Sequence, residues 1–231
     1  MNALKGSLYV FFQSYKKQNI IFWIILFSIV FLSFFLDSFF GKYISFAITI
    51  SIPVYIFYST RASKILNRTM PYFLKLGLSR MQYVSHMGLF FLTWSIVGAF
   101  IIACTHEIIA FFSKLLDVKD IIIIHPILLF NNTHPFFLTF ALDFTLLLFC
   151  LISGLLLNVV FYRFGTIGGY SFIGALALIP IIMVIFQWYT PLFEILSKAS
   201  FTAILSGLLL LVIFLYTVIT SALRKASAIP A

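Results

Sequence analysis

Between Ile20 and Leu36 the chain reads IIFWIILFSIVFLSFFL, a run without a single charge. Such a run is near the length at which a helix spans hydrocarbon, where every backbone N–H and C=O must find its partner inside the segment. Apolar stretches of similar length recur at about Tyr43 to Ser59, Tyr83 to Phe112, Phe136 to Phe161, Thr166 to Phe186 and Phe201 to Leu223. With 63% hydrophobic residues, 9% charged residues and a mean hydropathy of +1.15, the balance excludes a soluble globule. The runs are continuous rather than alternating over segments of about ten residues, which selects helices over a barrel. The predicted fold is all-α: one transmembrane domain over 1–231 with six spans, at 20–36, 43–59, 83–112, 136–161, 166–186 and 201–223. The sequence after the first run, DSFFGKY, lacks the small residues of a signal cleavage site, so that run is expected to stay as a span.

Before it, Leu4, Leu8, Phe11, Phe12 and Tyr15 share one helical side, with Gln13, Lys16 and Lys17 on the other. Residues 1–19 therefore read as an amphipathic elbow helix at the membrane surface. Six spans put both termini on one side. That side carries Lys5, Lys16, Lys17, Arg61, Lys64, Arg68, Lys75, Arg80, Arg163, Arg224 and Lys225, eleven of the fifteen basic residues, and no acid. The opposite side holds Lys42, Lys114, Lys119 and Lys198 with Asp37, Glu107, Asp117, Asp120 and Glu194. The positive-inside rule then makes both termini cytoplasmic in a multi-pass protein of the cell membrane. A net charge of +9 is explained by loop orientation and anionic lipid, and nucleic acid is not an expected partner. Cys104 and Cys150 lie in apolar stretches without metal or redox spacing, so no disulfide framework is expected. Residues 113–134 include an apolar patch too short to span, and Trp188 to Ser200 reads as a short helix at the far surface.

The segment from Thr60 to Tyr83, TRASKILNRTMPYFLKLGLSRMQY, is different in kind. At about 100° per residue Arg61, Lys64, Arg68 and Lys75 fall on one face, and Ala62, Leu66, Met70 and Phe73 fall opposite. That pattern describes a helix lying along a surface. Pro71 lacks a backbone donor and predicts two short helices in succession, Gly77 marks a C-terminal stop, and Ser79 with Gln82 has capping-box spacing before the next apolar run.

No G-x-x-x-x-G-K-[ST] loop is present, so any ATP would have to be handled by another subunit. An elbow helix, two spans, the helical segment KILNRTMPYFLKLGLSRMQYV and four more spans together resemble the permease subunits of bacterial type-2 ABC transporters. In that family the same segment often ends in a Gly-x-Ser-Arg-x-x-Tyr-like pattern, matched here by Gly77, Ser79, Arg80 and Tyr83. The resemblance implies a coupling segment over 60–82 that docks onto separate ATPase subunits through Arg61, Lys64, Arg68, Lys75 and Arg80. It also implies a second permease subunit, identical or homologous, and export of a hydrophobic or amphipathic cargo such as an antimicrobial peptide or lipid-like compound. No catalytic residue and no cofactor or metal of its own is expected. The competing reading is a loop whose charges set topology and touch lipid phosphates.

Asp143 lies about two turns into the fourth predicted span from the outer side, where ionisation costs about 2 kcal/mol or more on insertion scales. It reads either as a polar point on a substrate path or as a carboxylate hydrogen-bonded to a neighbouring span. His106 and Glu107 begin an H-E-x-x-H pattern that fails at Ala110. His125 and His134 each precede proline and read as ordinary loop histidines, and His86 as structural. Gly165, Gly168, Gly169, Ser171, Gly174 and Ala175 allow close backbone approach, most simply within one subunit. Thirty phenylalanines are packing material for spans. Two other classes fit less well. For an intramembrane protease the chain lacks the paired acids, His clusters or Ser-Lys pairing on facing spans that such chemistry requires, and the substrate-binding subunit of a vitamin importer would couple through small residues on a first span that here is bulky.

Overall fold

The computed structural model describes residues 3–40, 46–115, 121–129 and 135–224. Lys42, Asp117, Lys119, Asp120, His134 and Lys225 lie outside the described residues, as do 116–120 and 130–134 of the 113–134 stretch. No proline interrupts the opening residues, and α1 runs without a break over Ala3–Phe40. The expected division into an elbow helix and a first span is therefore not marked in the backbone. A short strand β1 (Phe46–Ile48) leads to α2 (Ser51–Ala62), α3 (Ile65–Lys75) and α4 (Arg80–Leu115). A second strand β2 (Ile121–Ile123) and a 3-10 turn (Pro126–Leu129) precede α5 (Phe136–Ile185), α6 (Tyr189–Lys198) and α7 (Phe201–Arg224). Among the described residues, α1, α4, α5 and α7 are long and apolar enough to cross a membrane. The second predicted span, 43–59, is not found as one long helix: residues 46–48 pair in parallel with 121–123, and α2, with 12 residues or about 18 Å of helix, is not among those four.

The chain divides into two compact units, one of Met1–Tyr58 with His86–Leu148, the other of Ser59–Ser85 with Phe149–Ala231. In the first, α1 and α4 pack in parallel with a constant sequence offset. Ser7 Oγ meets His86 Nδ1 at 2.7 Å, the Phe11 and Phe90 rings stack at 5.5 Å, and the Tyr15 and Trp94 rings meet edge-on at 5.7 Å. Ser7 Oγ already donates to the Leu4 carbonyl, so it accepts from an N–H on His86 Nδ1. The predicted apolar side of residues 1–19 is thus turned in part toward protein: Phe11 and Tyr15 are buried while Leu4 and Phe12 are exposed.

In the second unit, Gly165 (φ 68°, ψ −167°) breaks α5 into arms 136–164 and 166–185, between the apolar runs 136–161 and 166–186 that the sequence separates. In a continuous helix Phe161 and Gly169 would stand about 12 Å apart along the axis. Instead the Phe161 ring lies over Gly169 and meets the Tyr170 ring at 5.5 Å, so the chain folds back across Gly165. The second arm ends in a Schellman turn, with the Trp188 N–H on the Met183 carbonyl and the Gln187 N–H on the Val184 carbonyl. The left-handed position is held by Gln187 at φ 55°. Glycine reaches that conformation without a Cβ penalty, so Gln187→Gly is expected to stabilise the protein by roughly 0.5–1 kcal/mol, read as a raised thermal midpoint in detergent. An unchanged or lowered midpoint would contradict it.

Candidate functional site

Two places carry chemistry. The first is the corner between α3 and α4, in the second unit. The expectation that Pro71 splits the segment is corrected: α3 continues through Pro71 and ends at Lys75. Ile65, Leu66, Thr69, Met70 and Phe73 are buried on both sides of the proline, so packing holds the helix together where the missing donor would break it. Gly77 takes φ 84°, the Leu78 N–H reaches the Phe73 carbonyl at 3.1 Å and the Gly77 N–H reaches Leu74 at 3.1 Å, a complete Schellman stop. Two residues later the capping box forms: the Ser79 N–H donates to Gln82 Oε1 at 2.9 Å and the Gln82 N–H to Ser79 Oγ at 3.2 Å. Thr69 Oγ1 donates to the Ile65 carbonyl and so accepts from the Tyr83 hydroxyl at 2.6 Å, fastening the first turn of α4 to α3. Three of the four residues in the Gly-x-Ser-Arg-x-x-Tyr pattern thereby have a local structural task.

With the apolar face of α3 turned inward, Lys64, Arg68 and Lys75 project outward, and Arg61 and Arg80 are half-buried. The outward face is not purely cationic. Tyr72 is 49% exposed and Leu76 60% exposed beside Arg68 and Lys75, giving cations, an aromatic ring and an aliphatic side chain on one rigid corner. Of these, Arg68 and Tyr72 are of the residue types enriched at tightly bound protein surfaces.

The second place lies in the first unit, around Asp143, which is fully buried. Its Oδ1 accepts the hydroxyl of Tyr55 on α2 and faces Nε2 of His125 at 3.0 Å. The Ile127 N–H points at His125 Nδ1 at 3.0 Å, so Nδ1 accepts and Nε2 carries the hydrogen donated to Asp143. The ring of His106 on α4 stands edge-on to that of His125 at 4.7 Å, and His106 Nε2 lies 3.4 Å from Ser51 Oγ. Ser51 and Tyr55 are one turn apart on α2, so polar side chains from α2, α4, the 124–129 stretch and α5 close into a ring within an apolar unit. Asp143 Oδ2 and Thr139 Oγ1, also one turn apart, are buried without a hydrogen-bond partner. A network of this kind holds a carboxylate by directed donors rather than by a lysine or arginine.

Sequence reasoning singled out Asp143 but not what surrounds it. His125 is not an ordinary loop residue: it is 2% exposed and bonded to Asp143. Tyr55 and Ser51 gave no signal and His106 stood out only as the start of a failed H-E-x-x-H pattern, since separations of 88 and 55 positions join them to their partners. Arg61, Lys64, Arg68, Lys75 and Arg80 all belong to the second unit, while Asp143 belongs to the first.

Four long apolar helices, with the breaks between them, are compatible with the class of membrane-embedded, multi-pass helical proteins. Comparison with protein-family models, with curated proteins and with solved structures finds no match to this chain.

Proposed function

We propose that the chain is the membrane-spanning permease subunit of an ATP-driven transporter of the type-2 ABC kind, with the α3–α4 corner as its docking surface for separate ATPase subunits. The observation that carries this reading is the corner itself. A solvated loop whose charges only set topology has no need of a buried apolar face, a Schellman stop, a capping box and a Thr69–Tyr83 bond, all of which hold Lys64, Arg68 and Lys75 at fixed positions. A rigid cationic face bearing Tyr72 and Leu76 suits an acidic rim with an apolar notch on a soluble partner. In this reading α1 crosses the membrane once, α2 with the extended residues before it crosses once, α4 and α7 cross once each, and α5 crosses twice by turning at Gly165. The charge distribution then places both termini and α3 in the cytoplasm. A second permease subunit completes the path, and the cargo is hydrophobic or amphipathic, in keeping with the Phe-rich spans.

The test is purification of the tagged full-length protein from its native membrane in mild detergent, with co-purifying subunits identified and ATP hydrolysis assayed. Changing Arg61, Lys64 and Arg68 together to Glu is expected to lower recovery of the ATPase by about a hundredfold while leaving the amount inserted in the membrane unchanged, because like charges placed across an interface cost several kcal/mol. Retention of the ATPase by that variant, or failure to capture any ATPase even by crosslinking from α3, would sink the proposal.

A further inference from the structure

Within the first unit, the nine residues Ile121–Leu129 meet β1 by strand pairing, His106 of α4 through the His125 ring and Asp143 of α5 by a hydrogen bond. One side of the stretch faces inward, with His125 2% and Ile127 0% exposed; on the other side Ile124 is 45% and Leu128 38% exposed. Among the described residues it is held by strand pairing to β1, continued by the Ile124 N–H on the Ile48 carbonyl at 2.8 Å; by the buried Ile127 side chain; and by the bond from His125 Nε2 to Asp143.

We infer that Ile121–Leu129 is a strap with two positions, seated in this structure, and that the His125–Asp143 bond is its catch. Apolar contacts weaken gradually as a segment slides, but a buried hydrogen bond to a carboxylate does not. Stretching the 3.0 Å contact by an ångström takes it out of bonding range and leaves Asp143 with a lost donor in an apolar surround. Intermediate positions are therefore disfavoured. The strap is either seated or lifted far enough for water to take the place of His125, the two discrete arrangements that a switching element requires.

The local geometry makes the seated form a single piece. Because the Ile127 N–H bonds to Nδ1 of the same ring whose Nε2 bonds to Asp143, withdrawing His125 also withdraws Ile127 from its pocket. The groups facing Asp143 and His125 from the packed elements are Tyr55 of α2 and His106 of α4. Lifting the strap uncovers Asp143 with Tyr55 still bonded to it, which turns a closed polar ring into an accessible carboxylate at one end of the unit. This inference stands on the packing of the first unit and does not depend on the transporter reading.

The experiment measures reaction of a small maleimide with Ile127→Cys in the full-length protein in detergent, with Cys104 and Cys150 replaced by alanine. With the strap seated, labelling is expected to be slow. Adding His125→Ala is expected to raise the labelling rate by about tenfold or more, because the catch is gone. Adding His125→Gln instead, whose amide supplies both an N–H and an acceptor oxygen, is expected to keep the rate within about threefold of the parent. Met87→Cys, fully buried on α4 of the same unit, serves as the control and is expected to stay unreactive in every background. Equal rates with and without His125, failure of glutamine to hold the strap, or labelling at position 87 in step with position 127 would each overturn the inference, the last by showing that the unit unfolds as a whole.

Discussion

Gly154→Ala is expected to lower the thermal midpoint of the purified protein by roughly 5–10 °C. A Cβ at this position would stand 2.2 Å from the Ser59 carbonyl oxygen, 3.0 Å from the Ser59 carbonyl carbon and 3.1 Å from the Ala62 Cβ. Two of those atoms are backbone, so no rotamer change relieves the collision, and the end of α2 has to move away from α5. One turn along α5, Asn158 Nδ2 donates to the Ala62 carbonyl at 3.4 Å, and the same movement breaks that bond inside an apolar contact. Overpacking a tight crossing typically costs about 1–3 kcal/mol, and the lost bond places this site at the upper end. Gly174→Ala on the same helix is the comparison, because no atom lies within 4 Å of its built Cβ. Its midpoint is expected to stay level or rise slightly, since alanine is the better helix former. Equal losses at positions 154 and 174 would show that glycine at 154 is not set by the approach of α2. Thermal unfolding followed by far-ultraviolet circular dichroism in one detergent decides the matter.

The Asp143 ring gives the second large effect, and its signature is an order rather than one value. His125→Ala removes both a donor to the Asp143 carboxylate and the attachment that seats residues 121–129, and is expected to destabilise most, by about 3–5 kcal/mol. Tyr55→Phe takes away one hydrogen bond to a charged group and leaves the packing volume intact, so about 1.5–3 kcal/mol is expected. Asp143→Asn is the mildest, at about 1 kcal/mol or less, because its amide oxygen still accepts from Tyr55 and His125 while the buried charge disappears. Chemical denaturation of the three variants in mixed micelles measures the series. A loss for Asp143→Asn as large as that for His125→Ala would mean that the charge itself, and not the set of donors around one oxygen, holds the ring together.

Much of the helical layout was legible in the chain because it depends on neighbours a few positions apart. Gly77 could be assigned as a stop and Ser79–Gln82 as a capping box since left-handed backbone favours glycine and a cap needs a partner three residues on. The turn after the fourth apolar run and the short helix before the last one were readable for the same reason. Pro71 was misjudged by the same local logic: a missing donor counts against a helix, but the buried residues on either side of it count for more. Likewise the run after Tyr43 has the composition of a span, yet Phe46–Ile48 is drawn into a parallel pair with residues 121–123, a partner that no local window contains.

What the sequence determined by itself is the solvent this chain is suited to and the face each helix turns to it. Charge-free runs are driven out of water whatever they pack against, and the outward turn of Arg68 and Lys75, opposite Leu66, Met70 and Phe73 on α3, follows from helical periodicity alone. Only the tertiary structure decided that Tyr55, His106 and His125 gather around Asp143, and that Gly154 lets α2 approach α5. Those contacts join residues 18 to 95 positions apart, and pairing at such separations is fixed by which surfaces fit together and which buried polar groups can satisfy one another, properties that no single stretch of the chain carries.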